Sequence, residues 1–218
     1  MARRTGRPRL APLTDPGLDP AEEILIAASR LFAEKGFSST TTREIAQAAG
    51  IQQPSLYYWF PTKLDILDRI VSSVVVGSAS FAERMAHSRK PALVRLYALL
   101  LHDTRQLCAS PYDLSFLPNS PELRDERLTY RSDLRSLHRV VEQLIAAATA
   151  AGELIEIDPV LARRMILTTT SMAMDHRLDA TRVDPTVRTI VRIVMRGLAA
   201  PGVDLDQTET AAQALSKP

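Results

Sequence analysis

Apolar residues recur at helical spacing along almost the whole chain, and no stretch alternates polar with apolar in the manner of a half-buried strand. An all-α fold is therefore expected, and what remains is to find where each helix starts and stops and what its apolar stripe meets. Ile24, Ala27, Ala28, Leu31 and Phe32 share one face of a first helix that opens near Pro20 and stops at Gly36. Thr41 or Thr42 caps a short second helix, with Ile45, Ala46 and Ala49 inward, which halts at Gly50. Gln53-Pro54-Ser55 opens a third, because a proline in the first turn gives up an N–H that has no partner there anyway. Leu56 and Phe60 mark its buried side, and a long fourth helix begins at Pro61-Thr62 and runs through Ile66, Ile70, Val74 and Phe81.

Further helical stretches run from Pro91 to about Cys108, from Pro121 to about Ala151, from Pro159 to about His176, and from roughly Pro185 to Ala200. The last carries Val187, Ile190, Val191, Val194 and Leu198 on one face and Arg188, Arg192 and Arg196 on another, which reads as a solvated stripe. No internal repeat is present. The expected organisation is a flexible basic arm over 1–19, a three-helix module over 20–66, a larger helical bundle over 67–200, and a polar, alanine-rich tail over 201–218 with little to bury.

Charge narrows the function. Lysine and arginine total 27 against 25 acids, so the chain is not a general polycation that coats nucleic acid or an anionic membrane. Any basic surface must be local, and Arg3, Arg4, Arg7 and Arg9 supply one before the first acid appears. The lone cysteine, Cys108, forms no intrachain disulfide and no thiolate metal cluster, which fits a reducing cytoplasm. No apolar run has membrane-spanning length, and the N-terminus lacks an apolar signal core, so a soluble protein without a membrane partner is expected.

The segment from Thr41 to Lys63 has what a helix-turn-helix needs: Ala46 where two helices cross closely, Gly50 for the turn, and Ile51 with Leu56 to fix the second helix at an angle. Facing outward on that second helix are Gln53, Pro54, Ser55, Tyr57 and Tyr58, hydrogen-bonding groups and flat apolar surface suited to base edges and thymine methyls. Trp59 fits the junction with the next helix or the sugar-phosphate backbone. Lys63 falls in the first turn of a helix, where the macrodipole disfavours a cation, and a DNA phosphate there would reconcile the two.

The run TTREIAQAAGIQQPSLYYWFPTK resembles the DNA-binding segment of the TetR/AcrR family of bacterial repressors over about fifty residues. The resemblance implies that Arg43, Gln53, Pro54, Ser55 and Tyr57 face bases, while Thr42, Tyr58 and Lys63 contact phosphates. The aromatic run Tyr57-Tyr58-Trp59-Phe60 leaves the backbone-touching aromatic open by one position. Arg7 and Arg9 either enter an adjacent minor groove, as short arginine arms can, or belong to a solvated tail.

The resemblance further implies a homodimer on a double-stranded operator, a small-molecule effector bound in the C-terminal helices, and no cofactor or metal. Candidate pocket residues are Tyr97, Leu101, Thr104 and Cys108 on one helical face, His138 beside Leu134 and Val141, and Met165, Thr169, Met172 and His176 at helical spacing. Ordinary core packing gives the same residues. The stretch Ser110 to Pro121, with Phe116, is either a flap over that cavity or a plain connection. The helices from Pro159 and Pro185 are the expected dimer interface. Rival readings are a non-sensing or metal-sensing regulator, and an enzyme using His102-Asp103 or Asp175-His176, for which no nucleophile motif, phosphate loop or metal spacing speaks.

Overall fold

The computed structural model of the protein describes residues 19–175 and 180–216, so Arg7, Arg9 and His176 lie outside the described residues. Among the described residues nine α-helices follow one another, and the one β pairing is an isolated bridge between Leu154 and Ala199. No helix among them is long and apolar enough to cross a membrane. The chain divides into two compact units, one of residues up to Ile70 together with Pro111–Leu128, the other of Val71–Ser110 together with Thr129 onward.

In the first unit, α1 (Pro20–Lys35) starts where the Asp19 carboxylate accepts a hydrogen bond from the Ala21 N–H, and ends at Gly36, whose φ of 84° is a left-handed angle open to glycine. Thr41, not Thr42, caps α2 (Thr42–Ala48), through a reciprocal box. The Glu44 N–H donates to Thr41 Oγ1 at 3.2 Å, and the Thr41 N–H donates to Glu44 Oε2 at 2.8 Å. Gly50, at φ 66°, then turns the chain back so that the Ile51 N–H reaches the Ala46 carbonyl at 2.9 Å. α3 (Gln53–Trp59) follows with Pro54 in its first turn. α4 (Lys63–His87) opens with a second box, in which Thr62 and Asp65 exchange bonds of 2.7 and 3.2 Å. Ile24, Phe32, Ile45, Leu56, Ile66, Leu67 and Ile70 are fully buried and form the centre of this unit.

Pro111–Leu128 departs from expectation. The helix expected from Pro121 starts only at Arg131, and the residues before it form two short 3-10 turns, Leu117–Asn119 and Pro121–Arg124. Pro118 and Pro121 have no N–H to give to an α ladder. The segment is a strap bound to α1: the Phe116 ring lies 5.4 Å from Phe32, the Asp113 N–H donates to Ser29 Oγ at 3.1 Å, and the Tyr112 hydroxyl donates to Glu22 at 2.5 Å. Ser38 closes the other end by donating to Glu122 at 2.6 Å.

The second unit is built around α5 (Ala92–Cys108), which packs against α6 (Arg131–Ala150), α8 (Ala180–Leu198) and α9 (Leu205–Ser216). α7 (Pro159–Ser171) ends in a 3-10 turn, Met172–Asp175, and packs on α6. Pro185 lies inside α8 instead of opening it, forfeiting one backbone bond near the helix start.

The larger correction is α9, where a polar tail was expected. Asp204 starts it by accepting from the Asp206 and Gln207 N–H groups at 3.0 and 2.9 Å, and Ala212 is fully buried. Its inner side is Ala212 with Leu205 and Leu215 partly buried beside it, too little bulk to stand out in the sequence pattern. What fastens it is charge: Glu209, 4% exposed, accepts from the Tyr97 hydroxyl at 3.0 Å and from Arg188 Nε at 2.8 Å, and Arg192 pairs with Asp206. The arginine stripe of α8 is therefore partly covered by a partner helix and is not simply solvated. Burial, reinforced by the bond to Glu209, pushes the Tyr97 phenol above its ordinary range. Burial alone would raise the Glu209 carboxyl as well, but the Arg188 and Tyr97 hydrogen bonds and the two guanidinium charges outweigh it and hold the group below the usual carboxylate range.

A folded-state pKa below the unfolded one stabilises at pH values above the unfolded pKa and is lost as pH falls through the folded one. Glu209→Gln is expected to lower denaturant stability at neutral pH by about 1–3 kcal/mol, as loss of a charged partner from a buried hydrogen-bonded group does. The deficit relative to the unsubstituted chain should shrink below the carboxylate's ordinary pKa of 4.5. Urea titrations at pH 7 and pH 3.5 check both parts.

Candidate nucleic-acid interface

α2 and α3 are short, and what they expose is not what a solvated surface usually carries. Tyr58 is 82% exposed, Tyr57 44% and Trp59 40%, three consecutive aromatics at the end of α3 with Leu56 and Phe60 buried behind them. Tyr58 and Trp59 meet edge to face, with ring centroids 5.4 Å apart. Arg43, Pro54 and Ser55 are exposed on the same two helices. The expected base-facing and phosphate-facing residues Arg43, Gln53, Pro54, Ser55, Tyr57, Thr42 and Tyr58 are thus all carried on the exposed parts of one helix pair.

Three of them are tied together. Gln53 Nε2 donates to Thr42 Oγ1 at 3.1 Å and to the Tyr57 hydroxyl oxygen at 3.3 Å, and the two hydroxyl oxygens lie 2.9 Å apart in a hydrogen bond of their own. A single triangle therefore joins the start of α2 to both turns of α3. The sequence names all three residues, but their mutual bonding depends on the crossing angle and is not written in their spacing.

Lys63 is placed differently from the expectation. Its ammonium points into the unit and donates to the carbonyls of Phe37 at 2.5 Å, Thr40 at 2.6 Å and, more loosely, Ser38 at 3.4 Å. It also lies 4.3 Å from the centroid of the Phe37 ring. An ammonium has three protons, so its donors are spent on the connection between α1 and α2, and a phosphate would have to displace one of them. Burial lowers its pKa, with Glu122 and then Glu44 opposing. The same connection is held on its outer side by Lys35 pairing with Glu44, whose carboxyl the Lys35 and Thr41 hydrogen bonds pull down to about 2.

The candidate pocket residues are not gathered in one place. Tyr97, Leu101, Thr104 and Cys108 are buried on α5. Phe116 belongs to the strap on α1, in the other unit, because its ring is claimed by Phe32. Met165 on α7 and Met172 in the turn that closes it are exposed, and Thr169 donates to the Met165 carbonyl within that helix. His138 is half-buried, with its pKa lowered by burial and then by Arg163. His102 stacks on Phe81 at 4.2 Å, and burial followed by Arg84 and Arg105 lowers its pKa. Among the described residues no three His, Cys, Asp or Glu side chains come together as a metal would need.

The profile of bacterial regulatory proteins of the tetR family matches residues 24–70, which is α1 through the first turns of α4. The crystal structure of Mycobacterium smegmatis AmtR superposes with a TM-score of 0.79 at 33% identity, over 94% of this chain and 97% of that one. The chain belongs to the TetR family. Among curated TetR-family relatives, the HTH-type transcriptional repressor KstR2 of Rhodococcus jostii is 29% identical over 185 residues, 82% of this chain and 91% of that protein. The same fold, at 20% identity and a TM-score of 0.60 over 78% of this chain and 97% of the other, is adopted by AibR, whose structure is a complex with isovaleryl coenzyme A and operator DNA. As a TetR-family member the chain is a DNA-binding transcriptional regulator, and the aromatic face of α3 is the surface that fits this work.

Lys63→Met separates an internal staple from a phosphate contact. The geometry predicts a loss of stability of about 1–3 kcal/mol, from carbonyls left without a charged donor. It predicts no change in the slope of log affinity against log salt, which a lost phosphate contact would reduce by about 0.9.

Proposed function

We propose that the chain is a ligand-responsive transcriptional repressor that binds a palindromic operator as a homodimer and is released by a small organic molecule. The observation that carries the DNA-reading part is the exposed Tyr57, Tyr58 and Trp59 row beside Gln53 and Ser55 on a helix whose other face is sealed by Leu56. Base-edge contacts through α3 would carry sequence, and main-chain and hydroxyl contacts around it would carry position. Repression is favoured by the Rhodococcus relative, which is named a repressor.

Dimerisation is supported by the outer sides of α7 and α8. Leu161, Met165 and Met172 recur at helical spacing along α7 and its closing turn, and Ile193 stands out from α8, each more than half exposed or at half exposure. So many large apolar groups in water are unusual for a monomer, and a second copy is the occupant that would set two α3 helices on a two-fold operator. Half-sites would then be spaced by about one helical turn of DNA, 34–36 Å, or a multiple of it.

A small-molecule effector is supported by α5. Its Thr104 hydroxyl is fully buried and has no hydrogen-bond partner, amid apolar neighbours such as Leu101 and Cys108. An apolar interior with an orphaned hydroxyl is the setting a small organic ligand uses for orientation. The strap Pro111–Leu128 gives such a ligand a route to α1, since the chain passes from the end of α5 directly into residues that bind Phe32, Ser29 and Glu22.

Replacing Met165 and Met172 together by glutamate removes the apolar stripe at two exposed positions without touching the core. Sedimentation velocity at micromolar concentration should show a dimer for the unsubstituted chain and a monomer for the double variant, with operator affinity at least about tenfold weaker, a step equal to 1.4 kcal/mol. A monomer in both cases, on and off DNA, would contradict the dimeric reading.

A further inference from the structure

Asp103 is the single acid of α5, and its surroundings give its charge no partner. Leu99, Leu100, Leu101 and Thr104 next to it are fully buried, and burial pushes its carboxyl pKa up, opposed only by the Ser78 hydroxyl of α4. Among the described residues no lysine, arginine or histidine pairs with it. The basic residues of its own helix are engaged elsewhere: Arg105 with Asp184 at 2.8 Å, Arg95 with the Met85 and Ala86 carbonyls at 3.1 and 3.3 Å, and His102 stacked on Phe81 and bonded to the Gly77 main chain. Ser78 is 1% exposed, and its hydroxyl faces that carboxyl without completing a hydrogen bond. A carboxylate in an apolar interior costs free energy until an opposite charge meets it, and so does a buried hydroxyl with no partner. Here both stand at one point between α4 and α5. That point is not sealed, because Asp103 and Gln106 keep part of their surface accessible where the leucines keep almost none.

We propose that Asp103 and Ser78 form the polar end of the effector site and that the effector is an organic cation, a small molecule with a protonated amine on an apolar skeleton. An ammonium has three protons and no acceptor, so it can give one to Ser78 Oγ and another to the carboxylate, and it supplies the missing charge at the same time. Its skeleton would lie against the apolar neighbours of Asp103, where a more polar molecule would lose its hydration without return. An anion is repelled by the same carboxylate, and a neutral molecule leaves the charge unmet. The inference rests on the chain being ligand-responsive and names the class of molecule to which it responds.

The test is thermal unfolding of the full-length chain with sets of small molecules that share a skeleton and differ in one end group: benzylamine, benzyl alcohol and benzoate, then cyclohexylmethylamine, cyclohexylmethanol and cyclohexanecarboxylate, then hexylamine, hexanol and hexanoate. In at least one set the amine should raise the midpoint in a concentration-dependent way and weaken the chain's hold on an enriched duplex, while its alcohol and carboxylate do neither. Asp103→Asn keeps the shape and removes the charge. It should weaken the stabilising amine by about tenfold or more, as loss of a charged hydrogen-bond partner does, and leave the midpoint of the ligand-free chain unchanged or higher. Ser78→Ala removes the other contact and should weaken the same amine by about threefold, so the proposal stays testable if D103N does not fold. A merely structural Asp103 would instead lower the ligand-free midpoint in D103N and leave the amine's affinity unaltered. An alcohol or carboxylate that stabilises as well as its amine, or an amine that both variants bind as tightly as the unsubstituted chain, would overturn the inference while leaving the ligand-responsive reading intact. No effect of any of these molecules on stability or on duplex binding would overturn the inference and count against the ligand-responsive reading as well.

Discussion

Leu56 is the only fully buried side chain of α3, and the aromatic surface proposed to meet DNA depends on how it is seated. A seven-residue helix is far below the roughly 12–15 residues at which isolated helices become even marginal in water. α3 therefore exists because it packs on α2, whose Ile45 and Ala46 are buried as Leu56 is, because Gly50 turns the chain between the two helices, and because the buried Phe60 closes it with an N–H to the Leu56 carbonyl. With the apolar side fixed in this way, the polar and aromatic side has one direction to face. The α1–α2 connection needs its own fastening, and Lys63 supplies it by gathering the carbonyls of Phe37 and Thr40, the first of which also accepts from the Thr40 N–H.

The second unit solves a different problem. α5 is buried almost all round, and it must be enclosed by helices that carry enough polar groups to stay soluble outside. α9 does this with Ala212, Leu205 and Leu215 on its inner side and with Asp206 and Glu209 against the arginines of α8. The Tyr97 hydroxyl, deep on α5, finds its acceptor in Glu209, so one carboxylate satisfies both a phenol and a guanidinium. Loss of that carboxylate would leave donors from two helices without partners.

The fold class and the module from Thr41 to Lys63 were legible because each depends on local rules: helical spacing, a capping threonine with an acid three residues on, a glycine at a left-handed turn. The residues exposed on α2 and α3 were legible for the same reason, since a short helix with one buried leucine leaves few alternatives for the rest. What was not legible depends on distant partners. That the Lys63 ammonium reaches the carbonyls of residues 37–40 is one case. The seating of Phe116 on Phe32 is another, and α9 reads as a tail because few of its residues are bulky and apolar and its attachment is charge. In each case the deciding contact lies more than twenty residues away or on a helix with little hydrophobic bulk.

If DNA meets the exposed end of α3, the chain carries a probe there. Trp59 is its single tryptophan, 40% exposed at the last residue of α3. Titration of an enriched duplex, followed by tryptophan emission and in parallel by electrophoretic mobility, tests the claim directly. A saturable change in emission that tracks the mobility shift at the same duplex concentration is expected. A full mobility shift with unaltered emission would place the DNA elsewhere on the molecule and contradict it.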